Sequence, residues 1–185
     1  MHPTHPAGAD HPTTDRSEDL ERHLDDLRTR TWAGIEDWEG KAERFRSSVD
    51  LLDPVARRVL AAVSDRWLDG TGEVERADTT DDPEGHLVTR WSLSWPDQRR
   101  AGVEPVQLAA RFAPGRLHPH LGATRARDWP FSVLDAADAE RQEPLLALLA
   151  ESELHQRVYD ADWRVVTGYA ARHAGDRGDA ATRSG

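Results

Sequence analysis

Apolar positions along this chain repeat with two different periods, and the change from one to the other divides it into segments. Leu20, Leu24, Leu27, Thr31, Ile35, Trp38, Ala42, Phe45 and Val49 recur in eight steps over 29 positions. That is close to the roughly 3.6-residue period of a straight α-helix rather than the roughly 3.5 of a supercoil. The pattern predicts one long helix docked on a globular core, with Asp15 as its N-cap and Glu18 three residues on as in a capping box. Gly34 and Gly40 each weaken such a helix by about 1 kcal/mol relative to alanine, so a bend or break is expected there. Asp53 followed by Pro54 reads as the start of a second helix. Val55, Val59, Val63 and Trp67 lie on one face of it, and Gly70 is its stop. Two antiparallel helices are expected from this stretch.

The period then becomes two. Within 86–95, Leu87, Trp91, Leu93 and Trp95 alternate with His86, Arg90, Ser92 and Ser94, the signature of a strand with one buried face. Val106, Leu108, Ala110 and Phe112 alternate in the same way with Gln107, Ala109 and Arg111. A third short strand over 116–121 points Leu117, Pro119 and Leu121 inward and Arg116, His118 and His120 outward. Short connections containing Pro96, Gly102, Pro105, Pro114 and Gly115 imply an antiparallel meander, led by a strand over 73–78.

Past Asp128-Trp129-Pro130, Asp135 is the N-cap of a helix that Pro144 interrupts and restarts, giving 144–159 with Leu145, Leu148, Leu149, Ser152 and Tyr159 on one face. The segment 163–169 reads as a final short strand. Residues 1–14 have the composition of a disordered leader and 172–185 that of a frayed tail, leaving a single domain over 15–171. The fold class is α+β: a small antiparallel β-meander packed on one face by helices, with a long N-terminal helix pair.

Charge narrows the functional classes. The 185 residues carry 24 basic and 34 acidic side chains, a formal net charge of −10, which opposes a grip on a nucleic-acid backbone. Lys41 is the sole lysine. The absence of cysteine removes disulfides, thiolate metal sites and cysteine nucleophiles together. No secretory signal or membrane-spanning run is present, so a soluble, cytoplasmic protein without a membrane partner is expected. Glycine-rich phosphate loops, the Gly-x-Ser-x-Gly elbow and the His-Glu-x-x-His helix are likewise missing.

One constellation could carry chemistry. His118 and His120, two apart on a strand, project to the same side and could share a divalent first-row metal such as zinc or iron. His155 at the edge of the last helix is the candidate third ligand, and Glu151, one turn before it, the candidate catalytic base. The expectation is a small metal-dependent enzyme acting on a small molecule. Against it stands an ordinary reading, in which His-Pro-His is a solvated edge or turn and Glu151 and His155 a surface pair. Arg90, Arg111 and Arg116 share the outward side with the two histidines and could hold a carboxylate or phosphate, although solvated sheet faces often look the same. Trp91, Trp95, Trp129 and Trp163 are assigned to packing rather than to a ligand pocket. The alternative from a different class is a non-catalytic domain whose long first helix and acidic surface dock on a basic protein.

Overall fold

The computed structural model describes residues 17–79, 85–124 and 128–174. Two helices lead the chain, α1 (Ser17–Thr29) and α2 (Trp38–Trp67), and the boundary between them lies at 30–37 rather than at 50–53. Expected features at Asp15, in the leader and in most of the tail lie outside the described residues. The break forms at Gly34. Trp32 and Ile35 exchange both backbone hydrogen bonds, at 2.9 and 3.0 Å, around Ala33 and Gly34. Both central residues have positive φ, 50° and 78°, as a two-residue turn of the primed type demands. The turn drives Trp32 into the core, where it is 1 % exposed and meets Phe112 edge-on at 5.5 Å.

Helix α2 then runs unbroken through Pro54, which the sequence pattern had made a helix start. Asp37 is the real N-cap, accepting from the Gly40 amide at 2.7 Å. The Asp53 carboxylate instead accepts from the Trp91 indole N–H at 2.8 Å and from Arg57 at 2.9 Å. A proline inside a helix removes one backbone bond. Continuous burial of Phe45, Val49, Leu52, Val55, Val59, Leu60 and Val63 outweighs that loss.

The sheet is a five-stranded antiparallel meander in the order β1 (Glu73–Thr79), β2 (Leu87–Ser94), β3 (Val106–Phe112), β4 (His120–Ala123) and β5 (Trp129–Pro130). The expected alternation holds in β2 and β3: Leu87, Trp91, Leu93, Val106, Leu108, Ala110 and Phe112 all lie in the core. A short helix, α3 (Pro96–Ala101), occupies the β2–β3 connection and ends at Gly102 in the left-handed conformation. Asp135 caps α4 (Ala136–Arg141) by accepting from the Asp138 amide at 2.8 Å, and α5 (Glu143–Ala161) restarts across Pro144.

The core lies between the inner sheet face and α2 with α5. Helix α5 buries Leu145, Leu146, Leu149, Ala150 and Leu154, while Leu148 and Tyr159 are 65 % and 80 % exposed. Its inward face is thus rotated from the expected one. It includes the Glu153–Arg157 ion pair at 2.7 Å, both residues about as buried as the leucines around them. The expected final strand is a 3-10 turn over Asp162–Val165 followed by α6 (Thr167–Ala174). The polypeptide reverses at Asp162 with φ 61°, and Trp95 donates its indole N–H to the Val165 carbonyl at 2.5 Å, so no neighbouring strand edge is used.

Candidate functional site

The side chains that α1 presents to the body of the protein are polar. Asp19, Arg22, His23 and Asp26 follow one another at helical spacing and face inward. Asp19 accepts from the Gln142 amide at 3.0 Å, Arg22 pairs with Asp138 at 3.0 Å, and Asp26 accepts from the Ala33 amide at 3.1 Å. His23 completes the row by resting edge-on against His118, ring centres 4.2 Å apart.

Three histidines from separate parts of the sequence therefore meet. His118 ends the turn before β4 and His120 opens that strand, opposite Arg111 of β3 and Pro130 of β5. Their rings are 6.0 Å apart, and His120 lies 6.2 Å from His23. The outward side to which the two were expected to project is covered by α1, leaving His118 only 2 % exposed.

The hydrogen bonding of His118 fixes its chemistry. Its Nδ1 lies 2.8 Å from the Pro119 carbonyl, which can only accept, so Nδ1 carries the proton and Nε2 presents a bare lone pair. That Nε2 is buried and has no hydrogen-bond partner among the described residues, and the same holds for Nδ1 of His23. Asp26 Oδ2 stands 3.8 Å from His118 Nε2. The two do not form an ion pair near neutral pH. Burial holds the His118 imidazole down at about 4, against the opposing pull of the Pro119 carbonyl. Burial also lowers His23 and His120, and raises the Asp26 carboxyl. All three rings are thereby kept neutral, the form that binds metals and accepts protons. Asp26 also borders a polar cleft of about 400 Å³ that Arg22, Thr29, Thr31, Trp32 and Ser132 help to line.

His155 and Glu151 belong to another region. Both lie on the exposed side of α5 at a mostly apolar pocket of about 290 Å³, with Trp67, Val158, Trp163 and Tyr169. Glu151 is 3.9 Å from Arg66. Trp163, assigned to packing, is 51 % exposed there and stacks on Tyr169, whereas Trp91 and Trp95 are core residues. Arg90 and Arg111 share the outward sheet face, Arg111 pairing with Asp128 at 3.0 Å, and Arg116 is exposed in the turn before β4. As the side chains stand, no three His, Asp or Glu residues among the described residues are arranged to hold one metal ion. Holding one ion would require the rings to rearrange, since His23 and His118 pack edge-on at 4.2 Å and His120 stands 6.0 and 6.2 Å from His118 and His23.

His23 and Asp26 were missed by reading the sequence for apolar stripes alone. A signal was present in the polar run Asp19, Arg22, His23, Asp26, which has the same periodicity as a docking face. Compared with known proteins, the chain matches no family model, no curated protein and no solved structure. No helix among the described residues is long and apolar enough to cross a membrane.

Proposed function

We propose that the protein is a small metal-dependent enzyme acting on a small polar molecule, with its centre at His118, His120 and His23 rather than at His155. The observation that carries this reading is the buried, partnerless Nε2 of His118. Leaving such an atom unsatisfied is costly, and the backbone bond at its Nδ1 is the kind of outer partner that orients a metal-bound imidazole. A divalent first-row ion such as zinc or iron would satisfy it and, when bound, would supply an acidified water. Asp26 then takes the role first considered for Glu151. Its carboxyl stands between His118 and the polar cleft, and burial has raised its proton affinity, which suits a proton acceptor facing a substrate. Helix α1 excludes water from one side of the centre.

Metal content measured by mass spectrometry tests the reading. The chain after reconstitution with zinc or iron(II) should carry about one equivalent, and His118→Ala and the milder His23→Gln should each lose it. Absence of stoichiometric metal from the reconstituted parent, or retention by both variants, would overturn it. The alternative of an acidic docking domain draws support from a different feature, the exposed leucines of α1.

A further inference from the structure

Helix α1 turns its apolar side away from the protein. At about 100° per residue, Leu20, Leu24 and Leu27 lie roughly 120° around the helix from the polar row that docks it. They are 45 %, 56 % and 41 % exposed. No described residue covers them to the extent that the core leucines are covered, and the residues outside the described ones, 1–16, 80–84, 125–127 and 175–185, contain no Leu, Ile, Val, Phe, Tyr or Trp. Such a contiguous apolar stripe is characteristic of a contact surface.

Charges beside the stripe indicate which one. Glu21 and Arg28 lie on the same flank, three residues before and four after Leu24. When two such helices lie antiparallel with Leu24 on the two-fold axis, the flanks face each other. Glu21 then stands opposite Arg28 of the partner subunit, about 1.5 Å out of register along the axis, twice over. Arg28 already bonds Asp25 at 2.5 Å, and a guanidinium has donors to spare for a second carboxylate. We propose that the α1 helices of two copies of this chain pair in this antiparallel, isologous way, with Leu20, Leu24 and Leu27 as the buried seam. The seam is short, so the dimer is weak, with a Kd on the order of 10–100 µM.

Sedimentation equilibrium of the full chain from about 10 to about 500 µM tests the pairing. The expected result is a reversible rise from the 20.7 kDa monomer toward twice that mass. Leu24→Glu should abolish it while leaving the circular dichroism unchanged, because Leu24 touches solvent. Glu21→Arg should weaken it about tenfold, and the double variant Glu21→Arg/Arg28→Glu should restore it. A chain that stays monomeric at every concentration, a dimer indifferent to Leu24→Glu, or a double variant as weak as the single one would each overturn the proposal. So would a monomer that takes up a basic amphipathic peptide through this stripe and releases it in salt.

Discussion

Lowering the pH of the metal-free protein from about 7 to about 4 forces protons onto imidazoles that burial keeps neutral, and His118 gives the effect a size. Its ring is 2 % exposed, and its proton affinity falls from the ordinary 6.5 to about 4 on folding. Between those values the unfolded chain holds a proton at this residue that the folded chain lacks. Stability therefore rises with pH across the window: the contribution of neutral His118 is fully present above about 6.5 and is lost as the pH falls toward 4. At about 1.4 kcal/mol per unit, the loss from this residue is about 3 kcal/mol, a large part of a typical domain stability of about 5–15 kcal/mol. Urea unfolding at a series of pH values in a chelating buffer, on the parent and on His118→Gln, measures it. The parent's stability should fall more steeply than the variant's by about 3 kcal/mol across the window. His23 and His120, lowered in the same direction, and Asp26, raised and acting oppositely, are present in both proteins, so the difference between them reports His118 together with its coupling to these neighbours. Equal slopes for the two proteins would refute the reasoning, since they would mean that His118 titrates alike in the folded and unfolded chains.

Pro54→Ala should stabilise the protein by about 1–3 kcal/mol in urea unfolding, because α2 passes through this position as helix interior; a neutral or destabilising result would place a helix start there. Arg157→Ala should cost about 3–5 kcal/mol by leaving Glu153 buried without its 2.7 Å partner. Replacing both residues, as Glu153→Gln/Arg157→Met, should cost less than the single change, which a double-mutant cycle would show.

Sequence alone determined the elements whose structure is set by neighbours a few residues away. The alternation in 87–95 and 106–112 specifies the buried face of β2 and β3, because a slip of one residue would expose every core side chain at once. Asp135 and Pro144 mark helix starts through side-chain and ring chemistry that acts within one turn. Tertiary structure decided the rest. Pro54 reads locally as a helix start, yet the packing of Leu52, Val55 and Val59 carries α2 straight through it. Leu20, Leu24 and Leu27 have the pattern of a core face, and only the polar groups that α1 meets, Gln142, Asp138 and His118, turn that face outward. The same long-range contact selected His23 over His155 as the neighbour of His118. Spacing along the chain cannot choose between two histidines that lie 95 residues before and 37 after their partner. Which side chains converge is settled by how helix and sheet dock, and docking depends on the summed fit of surfaces rather than on any local run of residues.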